Sequence, residues 1–305
     1  MGDNVDFLTL GIDIGGTNFR IGTVDSYGNI GFFEKNSSRI FDSGNVIETM
    51  ANEIELYLAK HAVQDKVKAI GVGIPSMVSK DKKRIISTPN LKGFDKVDFV
   101  PELEARLSMP VYLDRDVNFL LQNDINALGL DKTKTILGFY IGTGFGNSIY
   151  LEGKLYSGKN GAAGELGHIP LYDIEDECTC GNKGCSEVRC SGKYLEYLCE
   201  TKFPNTLIRN VFSEHPNDPI LLNFVKNLAV PIATEVNILD PDYIILAGGV
   251  IYMKDFPKDV LISAIHEKCR KPFPESTLDI RFSEHNQQSG VYGSGEFARI
   301  MYSAL

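Results

Sequence analysis

The 305-residue sequence contains no run of about 18 apolar residues, so it offers no membrane-spanning helix. Its opening stretch, MGDNVDFLTL, lacks the basic-then-apolar layout of a secretory leader. Asp6 stands where a myristoylated Met-Gly terminus needs Ser or Thr. These absences predict a cytoplasmic protein whose thiols stay reduced. There is no basic tail or Lys/Arg run, and the net charge is −9, which argues against a nucleic-acid surface. A phosphate ligand stays open, because backbone N–H groups bind phosphate without basic side chains. Low-complexity linkers are missing too. A chain of this length, 43% hydrophobic and 23% charged, buries an ordinary globular core without disulfides.

Two stretches resemble each other. FLTLGIDIGGTNFRIGTVDSYGNI (7–30) and TILGFYIGTGFGNSIYLEGKL (135–155) each read as an apolar strand, a Gly-Thr turn and a second strand. Ile14-Gly15-Gly16-Thr17 and Ile141-Gly142-Thr143-Gly144 align at a constant offset, which predicts two related halves. Further strands are expected at 67–74, 110–114 and 242–248, apolar and β-branched as strands buried on both faces should be. Helical spacing of apolar residues marks 45–61, 117–130, 221–239, 257–270 and 291–304. Alternating strands and helices give an α/β fold.

Three turns can hold phosphate or nucleotide. In GIDIGGTNFR (11–20), a strand delivers Asp13, and Gly15 and Gly16 let backbone approach an anion while Thr17 adds a hydroxyl. Asp13 is placed to hold Mg²⁺ on the phosphates. Gly142, Thr143 and Gly144 form a second cradle, and Gly248 and Gly249 of LAGGV form a third turn suited to a base and ribose. All three follow apolar strands, which predicts nucleotide binding. The stretch GKLYSGKN (153–160) falls short of a P-loop, since Asn160 stands where Ser or Thr is needed. In DRDVN (114–118), Asp116 closes a strand, where α/β folds place reactive groups. It reads either as a general base or as a helix N-cap. CTCGNKGCSE (178–187) packs three cysteines into eight positions. With His168, Cys178, Cys180 and either Cys185 or Cys190 they make a closed tetrahedral zinc site, the alternative being reduced structural thiols. Gly181 and Gly184 allow the tight fold this needs.

Asp13-Ile-Gly-Gly-Thr17, Ile141-Gly-Thr-Gly144, Ala163-Gly-Glu-Leu-Gly-His168 and the cysteine loop together resemble the ROK family of repressors and sugar kinases over essentially the whole chain. The resemblance implies an actin-like, hexokinase-like (ribonuclease H-like) two-domain α/β fold with a cleft between domains. The small domain is expected to take 1–117 plus 291–305, and the large domain 118–290 with the zinc loop and adenosine turn. It implies ATP as phosphoryl donor, Asp116 as catalytic base, and Asn90, Asn118, Glu165, His168 and Glu187 as sugar-binding residues. It favours Cys185 over Cys190 as the last ligand of a structural zinc. That zinc would position Glu165 and Glu187 without touching the phosphates. A homodimer is implied as well.

One departure concerns the acceptor. Most sugar kinases of the family read Asn-Asp-Ala-Asn where this chain reads Arg115-Asp116-Val117-Asn118. With SKDKKRIISTPNL (79–91), this most resembles the D-allose kinases of the family, so D-allose going to D-allose 6-phosphate is the expected reaction. Glucose, N-acetylmannosamine and fructose are the alternatives. A sugar-responsive repressor is the competing class. Only twelve residues precede Asp13, fewer than a helix-turn-helix needs, and Asp116 is present.

Overall fold

The computed structural model describes residues 7–42, 44–88, 91–284 and 286–304. In chain order its strands are β1 (Leu8–Ile14), β2 (Asn18–Val24), β3 (Ile30–Ser37), β4 (Val67–Ile74), β5 (Met77–Val78), β6 (Ile85–Ser87), β7 (Val111–Arg115), β8 (Ile136–Ile141), β9 (Phe145–Leu151), β10 (Lys154–Leu155), β11 (Tyr243–Ala247) and β12 (Asp279–Phe282). Its helices are α1 (Val46–His61), α2 (Phe99–Leu107), α3 (Asp116–Ala127), α4 (Gly192–Lys202), α5 (Val211–Glu214), α6 (Pro219–Leu239), α7 (Lys258–Lys268) and α8 (Ser289–Ser303). Among the described residues no helix is long and apolar enough to cross a membrane.

Two sheets carry the fold, ordered β3-β2-β1-β4-β7 and β10-β9-β8-β11-β12. In each, the first three strands are antiparallel and the last two run parallel to the third. The likeness of the two glycine hairpins is thus a likeness of two whole sheets. Each sheet belongs to its own compact unit. One unit holds the described residues up to Ala127, with Ser157–Ala162 and the chain from Asn286 on; the other holds Leu128–Tyr156 and the chain from Ala163 to the end of the described segment at 284.

In the first unit the strand period of two decides which helix meets which face. Leu10, Ile12 and Ile14 of β1 and Ile70, Val72 and Ile74 of β4 pack with Met50 and Ile54 of α1 and Phe99 of α2. The alternate residues are small and face α8. A Cβ on Gly11 would collide with the Val291 carbonyl, and one on Gly71 with the Ser294 carbonyl. Thr9 Oγ1 donates to the Gly295 carbonyl at 2.8 Å, closing the same contact. Helix α1 starts because Asn45 Oδ1 accepts from Ile47 N at 2.8 Å, and it stops at Ala62, which turns left-handed at φ 52°.

In the second unit α6 carries two polar devices into an apolar core. Pro231 sits inside the helix and has no N–H for the Asn227 carbonyl. Cys190 Sγ donates to that carbonyl at 3.3 Å instead. Burial pushes the Cys190 thiol up to about 12, so it stays a donor. One helical turn on, Glu235 accepts from Asn147 Nδ2 of β9 at 2.8 Å, and burial pushes its carboxyl up to about 7. Asn147 Oδ1 is buried with no hydrogen-bond partner among the described residues.

Two predictions follow from these packings. Gly71→Ala should lower stability by about 1–3 kcal/mol, read as a lower urea midpoint, as overpacking against backbone does. The Glu235 carboxyl binds its proton more tightly in the folded chain than at its ordinary value of 4.5. Stability should therefore fall as pH rises from about 4.5 to about 7. Glu235→Gln, uncharged and bringing a donor to Asn147 Oδ1, should flatten that slope and raise the melting temperature at pH 8.

Candidate functional site

In the first unit β1, β4 and β7 run parallel, so their carboxyl ends line one edge. Asp13 pairs in register with Gly73, and Gly73 with Asp114. The two carboxylates therefore rise from the same face, two strand spacings or about 10 Å apart. Gly73 between them has no side chain; a Cβ there would lie 3.1 Å from Phe119 Cδ2 and 3.5 Å from Asp116 Cα. That glycine lets α3 start close against the sheet.

Asp13 Oδ2 accepts from Arg20 Nη1 at 2.7 Å, across the β1–β2 pair. Burial raises its carboxyl above the ordinary carboxylate range, and the charge and hydrogen bond of Arg20 oppose that rise. Nothing in the local sequence motif around Asp13 announces this partner. Gly15 N donates to the Asn18 carbonyl at 2.8 Å, and Gly142 N to the Gly144 carbonyl at 3.1 Å, so each first amide closes its own turn. An anion approaching either turn would meet the amides that follow, at the exposed Gly16 and Thr17 and around Thr143. Ser38, unnoticed in the sequence, braces the first turn: its Oγ donates to the Gly15 carbonyl at 2.8 Å and its N to the Thr17 carbonyl at 3.1 Å.

The stretch DRDVN holds two carboxylates with different surroundings. Asp114 is buried. Its Oδ1 accepts from Arg115 N and Asn118 Nδ2, both at 2.8 Å, and its Oδ2 accepts from Lys82 Nζ at 2.5 Å. Asp116 is half-buried as the first residue of α3, and its Oδ1 accepts from Val117 N at 2.8 Å. Asp114 is thus committed to structure by a cation and two donors. Asp116, bonded to its own helix start, is the carboxylate suited to take a proton. Asn118 gives its amide N–H to Asp114 and is mostly buried, so its carbonyl oxygen is the part suited to a ligand. Asn90 lies outside the described residues. Lys82, at φ 58° in the β5–β6 hairpin, gave no sequence signal tying it to Asp114.

In the second unit the turn after β8 and the turn after β11 touch. Gly248 has φ 103°, and a Cβ there would meet the Ile141 backbone; Val250 N donates to the Ile141 carbonyl at 3.0 Å. Added Cβ atoms on Gly142 and Gly249 would meet nothing within 4 Å, so both turns present open backbone.

His168, Cys178, Cys180 and Cys185 come together, with their ligand atoms all within 4.8 Å of one another. Cys180 and Cys185 sulfurs are 3.6 Å apart, and Cys178 Sγ is 3.5 Å from His168 Nδ1. Zinc bonds of about 2.3 Å to sulfur and 2.0 Å to nitrogen give tetrahedral edges of about 3.8 and 3.5 Å, so this donor set fits the ion. Burial and the Cys180 and Cys178 sulfurs push the Cys185 thiol up to about 12; a divalent cation reverses this, since a coordinating thiol is deprotonated. Cys190 is not in the cluster; it serves the Asn227 carbonyl. The loop is built by Gly181 and Gly184, at φ 94° and 71°, and by Ser186, whose Oγ donates to the Leu166 carbonyl at 2.8 Å. With Nδ1 turned to the thiols, His168 Nε2 lies 3.6 Å from Glu165 Oε2. Glu187 Oε2 accepts from Phe145 N at 2.8 Å, directly after the Gly142–Gly144 turn, so the cysteine loop touches that turn.

Residues 9–299 match the model of the ROK family. Similar relatives include the N-acetyl-D-glucosamine kinase of Vibrio cholerae, 27% identical over 93% of this chain and 97% of that protein. A ROK family glucokinase from Streptomyces griseus, solved with glucose and AMPPNP, has a TM-score of 0.78 at 22% identity over 96% of this chain and 99% of that one. A ROK family transcriptional regulator, homologous to the E. coli MLC protein, has a TM-score of 0.84 at 21% identity over 100% of this chain and 81% of that one. The chain has the actin-like, hexokinase-like α/β fold of these structures.

The geometry predicts which thiols hold metal. Elemental analysis of purified Cys190→Ser should give the same zinc per chain as wild type, while Cys185→Ser should lose most of it.

Proposed function

This chain belongs to the ROK family, and we propose that within it the protein is an ATP-dependent hexose kinase. The observation that carries the reading is the place of Asp116, half-buried at the first turn of α3 where β7 ends. Asp114, two residues before it, pairs with Lys82. A kinase needs a carboxylate at such a strand end to take the hydroxyl proton.

In the reaction, Asp116 accepts the proton of a sugar hydroxyl. The hydroxyl oxygen forms a bond to the γ-phosphorus while the bond from that phosphorus to the bridging oxygen breaks, and ADP leaves. The proton stays on Asp116 and passes to water. Amides of the Gly15–Thr17 and Gly142–Gly144 turns hold the phosphates, and Gly248–Gly249 takes the adenosine. Mg²⁺, when bound, neutralises phosphate charge, and Asp13 is the residue that would hold it. Asn90, Asn118, Glu165, His168 and Glu187 read the sugar hydroxyls. His168, Cys178, Cys180 and Cys185 would hold a structural zinc that orients His168 toward Glu165, an arrangement common among metal-bound histidines.

Among hexoses we infer D-allose as acceptor, giving D-allose 6-phosphate. What supports this is Arg115, buried at the end of β7 beside the base where most sugar kinases of the family carry asparagine. A permanently charged guanidinium changes which hydroxyls are read nearby. N-acetyl-D-glucosamine and glucose, named for the relatives, are the competing acceptors. The regulator's structural likeness favours a second reading, a sugar-responsive repressor, in which Asp116 would have no proton to take.

Coupled detection of ADP separates these. D-allose should give the highest kcat/KM in a hexose panel. A higher value on N-acetyl-D-glucosamine or glucose overturns the acceptor, and no ADP from any hexose overturns the kinase. Asp116→Asn should lower kcat by about 10²–10⁴-fold with Mg-AMPPNP affinity kept.

A further inference from the structure

Segment 185–193, which leaves the cysteine loop and starts α4, grips the second phosphate turn at three points. Glu187 Oε2 accepts from Phe145 N at 2.8 Å. Gly192 N donates to the Gly142 carbonyl at 2.8 Å, and Lys193 N to the Thr143 carbonyl at 3.0 Å. The two backbone bonds fix the carbonyl side of the turn. Glu187 is the side chain that reaches the amide side, and the turn is shaped around it: a Cβ on Gly144 would lie 2.5 Å from Glu187 Oε2. Gly167, next to His168, closes in as well, with its added Cβ 2.9 Å from the Phe145 carbonyl. Phe145 is therefore held between the two arms of the metal cluster, one ending in His168 and the other starting at Cys185.

We propose that Glu187 is a positioning residue for the nucleotide: it transmits the order of the metal cluster to the Gly142–Gly144 turn, so that nucleotide affinity depends on the metal through this carboxylate even when no sugar is bound. The physical argument is short. Cys185 lies two residues before Glu187, in a 3₁₀ turn (Ser186–Val188) too short to absorb a shift of its start. A metal bond to Cys185 fixes that start. The carboxylate then pins the Phe145 amide with a charge-assisted hydrogen bond, the strong kind. Pinning Phe145 sets where the Thr143 and Gly144 amides point. This goes beyond a sugar contact for Glu187 and rests on the nucleotide reading of that turn.

The test measures Mg-AMPPNP binding by calorimetry without sugar, and amide hydrogen exchange at Phe145. Wild type, Glu187→Ala, Glu187→Gln and Gly144→Ala are compared, each as purified and after dialysis against a chelator and return to magnesium buffer. Chelation should weaken AMPPNP binding to wild type about tenfold and speed exchange at Phe145. Glu187→Ala should show both effects with its metal in place and no further response to chelation. Glu187→Gln, whose amide oxygen still accepts from Phe145 but without the charge, should fall between wild type and Glu187→Ala. Gly144→Ala, which displaces the carboxylate from the other side, should resemble Glu187→Ala and serves if that variant does not fold. Wild-type affinity and Phe145 protection in Glu187→Ala, or a chelation response left intact in it, would overturn the proposal. Absence of AMPPNP binding in every form refutes the nucleotide reading instead, and Phe145 protection alone then decides the link.

Discussion

Much of the first unit follows from the need to answer one buried charge. Asp114 stands at the carboxyl end of β7 with almost no access to water. An ionised carboxylate there is tolerable only if it is paired and hydrogen-bonded. Lys82 supplies the cation, which obliges the β5–β6 hairpin to lie where its strained turn can deliver it. Asn118 supplies a donor, and this fixes which end of its amide faces Asp114. Arg115 N supplies another at the step from strand to helix. The position of Asp116 is a consequence, because the same residues that satisfy Asp114 set the first turn of α3.

The second unit solves a different problem, that of shaping backbone with few side chains. Its glycine turns do not stand alone. Gly248 lies on Ile141, Gly192 lies under Gly142, and Glu187 reaches Phe145. The cysteine loop is stitched to the 165–168 segment by Ser186 and to α4 by Arg189, which pairs with Asp176 at 2.5 Å and stacks 5.0 Å over the Tyr194 ring. Loops that would be soft by composition are made definite by contacts with one another.

Legibility in the sequence followed the range of the interactions. The hairpins, the long helices α1, α6 and α8 and the cysteine cluster were readable, since each is written in local spacing. Strand β3 was not. It reads IGFFEKNS, half exposed on a sheet edge, so it lacks the apolar run of a buried strand. Helix α2 is short and holds Pro101, and α4 opens on Gly192, so neither shows a long periodic stripe. At the site, Asp13, Asp116 and the four candidate metal ligands were picked out by motif. Arg20, Ser38, Lys82 and Asp114 were missed, because each acts through a partner that only the folded register brings near. The bonds from Gly15 N and Gly142 N that close their own turns were equally invisible, since such a bond has no signature apart from the turn.

Pro231 and Cys190 make a small case of mutual dependence. A carbonyl stripped of its helical donor and a thiol kept protonated by burial complete each other. Neither residue has a reason to persist without its counterpart: an ordinary residue at 231 would return the helical bond and idle the thiol, while alanine at 190 would strand the carbonyl. In descendants of this chain the two positions should therefore change as a pair, and a drift at one ought to make the other drift as well.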